Sequence, residues 1–224
     1  MTAAVYDHEL KSNGYTLRTE PRRLGWLTPS DPRRPIAELR EQYEAQGYLW
    51  LKQILDRAEV LAFRRRYFSA MAEAGMIAPG TDPVDGIHSD HEDAEMVGKL
   101  VHEIVRWAAY EWFCLQPSIW HFYEAFFEGA PYLHKRKLIR HTRPGDPGAT
   151  GAHYDLTYLR AGTDRVCTSW IPIGDTPVHM GGLVYLEGSD AWGRREEAAF
   201  RKKAADLPRE EQINAYNKHM SKSG

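Results

Sequence analysis

The sequence predicts an α+β fold, helices first and strands second, on three observations. Before Pro131 the apolar residues recur at three- and four-residue spacing, the helical period. After it they fall in short runs separated by Gly, Pro, Asp and Thr, the grammar of an antiparallel sheet. Hydrophobic residues make up 42% and aromatics 12% of the 224 residues, enough for a sizeable core and too many for a disordered chain. A single domain is expected over residues 1–224, with a helical layer buttressing a β-sandwich or barrel.

Each element has a local reason. Residues 1–35 carry Pro21, Pro29, Pro32 and Pro35, which no helix tolerates in its interior, so they read as an extended arm. The helical layer spans residues 36–130. It opens with a short helix from Ile36 to Gln46, stopped by Gly47, and an apolar strand at 48–52. Asp56 caps the next helix, on which Val60, Phe63, Tyr67, Ala70 and Met71 share one face. Residues 78–95 form a polar loop punctuated by Gly and Pro, and one helix is expected from Met96 to Leu115. An aromatic helix containing Trp120, Phe122, Tyr123, Phe126 and Phe127 ends at Gly129. Strands are expected at 132–142, 153–160, 166–174 and 182–189, within a sheet region spanning 131–190, and a charged helical segment fills 191–224. Four core strands fall short of the roughly eight of a jelly roll, so the barrel is expected to be incomplete in this chain.

Charge narrows the function. Lys and Arg number 29 against 31 Asp and Glu, a net charge of -2, which argues against a nucleic-acid partner. No apolar run approaches the ~18 residues that would span a bilayer, and the polar N-terminus lacks a signal-peptide pattern. The expectation is a soluble, cytoplasmic protein without a membrane partner. Cys114 and Cys167 are the only cysteines, too few for a disulfide framework or a Cys-rich zinc site.

The focal motif is His153-Tyr154-Asp155. Residues i and i+2 of a strand share a face, so imidazole and carboxylate converge, and such a pair suits Fe(II) as part of a 2-His-1-carboxylate set. The same spacing recurs at His88/Asp90 and His91/Asp93, in an acidic loop where a solvated turn is expected. At His153 the spacing alone leaves two readings open, a metal ligand pair or a hydrogen-bonded pair at a strand end.

The surroundings of His153 add a resemblance. Residues 151–162 (GAHYDLTYLRAG), then TSWIPIGDT, then MGGLVYLEGSD resemble the phytanoyl-CoA dioxygenase family of Fe(II)/2-oxoglutarate oxygenases. The phrase Gln46-Gly47-Tyr48-Leu49 after a helix fits the same order, and Asp190 stands where that family usually has histidine. The resemblance implies a double-stranded β-helix core, jelly-roll or cupin-like, behind N-terminal helices. It implies an enzyme that couples oxidative decarboxylation of 2-oxoglutarate to hydroxylation of an aliphatic C–H in a small-molecule or acyl substrate. Carried over residue by residue, His153 and Asp155 become iron ligands, and Thr168 and Trp170 line the co-substrate pocket. Lys137 and Arg140 precede the motif and are placed to reach a 2-oxoglutarate carboxylate, though only one can do so from a regular strand.

The family pattern continues with a distal histidine and an arginine for the far carboxylate, and neither follows before Gly224. His179 and His219 lie downstream in a loop and a polar helix, contexts that fit a third ligand poorly. A truncated piece of a longer enzyme is therefore expected. The alternatives are missing strands supplied by self-association through unpaired sheet edges, or a catalytically inactive jelly-roll module kept for binding.

Overall fold

A computed structural model of the chain describes residues 9–12, 15–141, 153, 155, 159, 163–208, 211–212 and 214–215. Contacts group the chain into two compact units. One draws on Met1–Trp50, Thr142–Trp170 and Pro177–Gly224, the other on Leu51–His141 and Ile171–Thr176.

The first unit begins with a two-residue hairpin, β1 (Lys11–Ser12) against β2 (Tyr15–Thr16), antiparallel with Lys11 opposite Thr16. The arm expected to be extended instead makes a turn at 20–24, where the Glu20 carbonyl accepts the Arg23 and Leu24 N–H groups, before β3 (Pro29–Ser30), which pairs with β4 (Trp50–Leu51). Between them lies α1 (Ile36–Gln46), whose apolar Leu39 is fully buried. Pro35 occupies the N-cap and Gly47, at φ 86°, ends the helix by donating its N–H to the Tyr43 carbonyl. A left-handed residue is the ordinary stop for a helix, and glycine reaches it without steric cost. The unit closes with α6 (Asp190–Lys203), the expected charged helix, with Arg201, Lys202 and Lys203 against the negative end of its dipole.

The second unit is helical. Its first helix, α2 (Arg57–Ala72), starts where Asp56 accepts the Ala58 N–H at 2.6 Å, as the sequence predicts, and buries Phe63, Tyr67 and Met71. A 3-10 turn at Pro83–Asp85 interrupts the polar loop, and Asp93 then caps α3 (Ala94–Ile104). The helix expected from Met96 to Leu115 is in fact two, α3 and α4 (Ala108–Cys114), with an extended Trp107 at the break. Packing is the reason. Ile104 on α3 and Tyr110 and Phe113 on α4 all face the cluster around Phe63 and Tyr67, and a straight helix cannot present both sets. Phe63 stacks on Phe113 at 4.5 Å and on Tyr110 at 5.5 Å, while the Arg66 guanidinium covers the Trp107 ring at 5.3 Å. The aromatic helix, α5 (Pro117–Phe127), ends at a left-handed Glu128 (φ 53°).

Arg64 ties this unit together. Its guanidinium donates to the carbonyls of Val84 (2.5 Å), Asp85 (2.8 Å) and Ile173 (3.1 Å), and stacks over Phe68 at 4.7 Å. Segment 171–174 is thereby fastened, with Ile171 and Ile173 against the core.

Among the described residues the expected strands at 132–142, 166–174 and 182–189 are not hydrogen-bonded into a sheet; the segment 153–160 lies mostly outside them. A helix closes its hydrogen bonds on itself, whereas a strand exists only against a partner. No described helix is long and apolar enough to cross a membrane.

Candidate functional site

His153 and Asp155 come together in the first unit. His153 Nε2 lies 3.1 Å from Asp155 Oδ1, and the side chains are 32% and 46% exposed. A separation of 3.1 Å is that of a hydrogen-bonded ion pair, and solvent reaches both groups. A neutral imidazole nitrogen and a carboxylate oxygen are also the donor types that suit Fe(II). These two residues fit an iron centre as two of its protein ligands. Among the described residues no group of three His, Cys, Asp or Glu side chains is placed to hold a metal ion.

Two tyrosines that the sequence reading passed over flank this pair. Tyr185 is pushed above the ordinary tyrosine range by burial and, secondly, by the Asp155 carboxylate, which places its phenol in that charge's field. Its ring stacks on Tyr48 at 5.7 Å with a 24° tilt. The Tyr48 hydroxyl accepts the Thr28 N–H at 3.1 Å and donates to Glu187 at 3.4 Å, while the Gly188 N–H reaches the Gln46 carbonyl at 3.1 Å. The phrase Gln46-Gly47-Tyr48 is thus docked on segment 185–188, beside Asp155. Both phrases were legible as motifs; that they meet was not, because 137 residues separate Tyr48 from Tyr185 and neither hydroxyl carries a positional signal.

The remaining predicted residues separate. Thr168 and Trp170 belong to the first unit, both exposed, Trp170 at 44%. Their neighbour Cys167 donates its thiol to the Tyr43 hydroxyl at 3.6 Å, and burial raises its pKa. Lys137 and Arg140 belong to the second unit. Lys137 is tucked in, 13% exposed, with its ammonium 3.2 Å from Glu111, while Arg140 is exposed. The regular strand on which their odd separation would have turned them to opposite faces is not formed at 132–141. Asp190 opens α6 and holds Arg194 at 2.9 Å. His179 sits exposed in a 3-10 turn, Val178–Met180, and His219 lies outside the described residues.

In the polar loop the histidine–aspartate pairs are spent on backbone geometry. Asp93 caps α3, and the Asp90 N–H donates to His88 Nδ1 at 2.9 Å.

At residues 153 and 155 the structure brings together an imidazole and a carboxylate that solvent partly reaches. Comparison with known families identifies the class of protein. The family model described as phytanoyl-CoA dioxygenase matches residues 43–222, and the chain belongs to that family. Among curated proteins it is similar to the 1-deoxypentalenic acid 11-beta-hydroxylase of Streptomyces arenae, 28% identical over 159 residues. That match covers 69% of this chain and 54% of the relative, so the chain spans about half the length of the curated relative it matches. No solved structure matches the chain.

Proposed function

We propose that this chain contributes the iron- and 2-oxoglutarate-binding part of a dioxygenase that hydroxylates an aliphatic C–H of a small-molecule or acyl substrate. The observation that carries the reading is the 3.1 Å approach of His153 Nε2 to Asp155 Oδ1 in a member of this family. The name of the Streptomyces hydroxylase supports hydroxylation as the reaction. Iron and 2-oxoglutarate, when bound there, would supply the activation of dioxygen, the oxidant that C–H hydroxylation needs.

The chain's own residues do the rest. His153 offers a neutral imidazole through Nε2 and Asp155 a carboxylate through Oδ1, a set that retains Fe(II) while leaving other positions exchangeable. Tyr185, stacked on Tyr48, sets its phenol in the field of the Asp155 carboxylate. Thr168 and Trp170 line the co-substrate pocket. Lys137 binds a 2-oxoglutarate carboxylate only by exchanging it for Glu111, and Arg140 is the less hindered cation. A double-stranded β-helix core and a cytoplasmic setting belong to the same proposal.

The second reading is a binding module on the same scaffold, favoured by the lack of a third donor beside His153 and Asp155 among the described residues. One titration separates the two. Fe(II) and 2-oxoglutarate are added anaerobically to the purified chain while the visible charge-transfer band is followed. The dioxygenase reading expects a band that His153→Ala abolishes. A chain folded by circular dichroism that gives no band supports the binding module for these 224 residues.

A further inference from the structure

The polar loop before α3 is held far more firmly than a solvated turn requires. Its residues run beside segment 74–78: the Ser89 N–H donates to the Met76 carbonyl at 2.9 Å, the Ala78 N–H to Ile87 at 2.8 Å and the Asp93 N–H to Ala74 at 2.9 Å. Ile77 and His88 form an antiparallel bridge. The Ser89 hydroxyl donates to the Gly75 carbonyl and accepts the His91 N–H at 3.0 Å. Within this frame Asp90 is the non-glycine residue at positive φ, 60°, a left-handed conformation that is uncommon outside glycine although Asp tolerates it better than most residues.

His88 supports that departure. Its Nδ1 lies 2.9 Å from the Asp90 backbone nitrogen, and its Nε2 lies 3.0 Å from Glu92 Oε2. A backbone amide can only donate, so Nδ1 accepts and bears no proton. Nε2 then carries the hydrogen and donates it to Glu92. This is the neutral imidazole with one assigned tautomer. Asp90 Oδ1 waits 3.3 Å from the same Nδ1, on a side chain that is 93% exposed and free to turn. A proton on Nδ1 makes it a donor. It can no longer accept the Asp90 amide, and the adjacent carboxylate becomes its partner.

We propose that His88 is a proton-operated latch, which when neutral fixes the left-handed turn at Asp90 and when protonated releases the Asp90 amide and grips the Asp90 carboxylate instead. The groups facing the imidazole are Asp90 and Glu92 from its own loop. Tyr67 of α2 adjoins Glu92, and Arg64 holds the preceding 3-10 turn by its carbonyls. Ser89 and His91, on either side of Asp90, line an open cavity of about 500 Å³ together with Gly75, Ile77, Ala78 and Pro83. The latch therefore acts on the wall of a cavity within the second unit, and its operation requires neither metal nor co-substrate.

Amide hydrogen exchange read by NMR tests it, with rates normalised for the intrinsic pH dependence. Protection of the Asp90 amide is expected to fall about tenfold as His88 is protonated, the loss of one backbone-to-imidazole hydrogen bond. In His88→Asn, whose amide oxygen takes the place of Nδ1 and does not titrate, protection is expected to stay level between about pH 5 and 8. A level profile in the natural protein while the His88 ring carbons titrate overturns the proposal, as does a fall that persists in His88→Asn. Should that variant not fold, His88→Gln offers another side-chain oxygen that gains no proton. It is expected to give the same level profile, and a fall that persists there overturns the latch equally.

Discussion

Helix α2 and segment 182–186 are both apolar, yet they end in opposite surroundings. On α2, Phe63, Tyr67 and Met71 are buried to 7%, 2% and 0% exposure, whereas Val184 and Leu186 stand 62% and 71% exposed. The helix satisfies its own backbone, so only its face needs company, and α3 and α4 lie close by in sequence to provide it. The extended segment must find both a hydrogen-bonding partner and a covering layer. Leu183 and Tyr185, each 45% exposed, alternate with the two barer side chains, and Tyr185 rests on Tyr48.

The sharpest way to break this comparison is a pair of truncations read by urea denaturation. Ile104→Ala removes a fully buried side chain from the helical core and is expected to cost about 3 kcal/mol. Leu186→Ala is expected to change stability by less than about 0.5 kcal/mol. A large loss at Leu186 would show that segment 182–186 is covered in solution.

A smaller effect comes from Tyr67. Burial, and secondly the Glu92 carboxylate, push its phenol up to about 12. The folded chain thus holds the neutral form, so this contribution is complete below about pH 10 and is lost as pH rises from 10 towards 12. The loss is expected to reach about 2 kcal/mol in alkaline denaturation and to vanish in Tyr67→Phe. Near neutrality that variant should be as stable as the natural chain or slightly more so, because the hydroxyl has no hydrogen-bond partner among the described residues.

Gly86→Ala refines the picture at the 3-10 turn. Gly86 sits at φ 66°, and a methyl group there would stand 2.6 Å from Arg64 Nη2 and 2.9 Å from the Phe68 ring. The expected cost is about 1–2 kcal/mol in thermal or urea unfolding. A neutral result would mean that the Arg64 clamp is not needed to hold segment 171–174.

What could be read without coordinates was local. Asp56 before α2, Gly47 after α1 and the spacing of Phe63, Tyr67 and Met71 specify their elements through contacts within a few residues, and each holds. The break at Trp107 was not legible, since residues 96–115 keep an apolar helical rhythm throughout and only the shape of the core around Phe63 bends it. The same division runs through the candidate site. His153 and Asp155 stand two apart, so their convergence at 3.1 Å follows from a short stretch of chain. Lys137 looked like a cation for an incoming carboxylate, and packing gave it Glu111, 26 residues earlier.

By itself, then, the sequence determined where most of the chain is helical, the Asp56 cap, the Gly47 stop, the nearness of His153 and Asp155 and the family, because each is written in neighbouring residues whose backbone bonds and side-chain spacing close locally. Only the tertiary structure decided that Gln46, Gly47 and Tyr48 dock beside Asp155 through Tyr185 and Glu187, and that Arg64 reaches Ile173 109 residues away. Those contacts depend on where chain segments far apart in sequence come to rest, and a stacked ring or a guanidinium on a carbonyl leaves no spacing rule behind it.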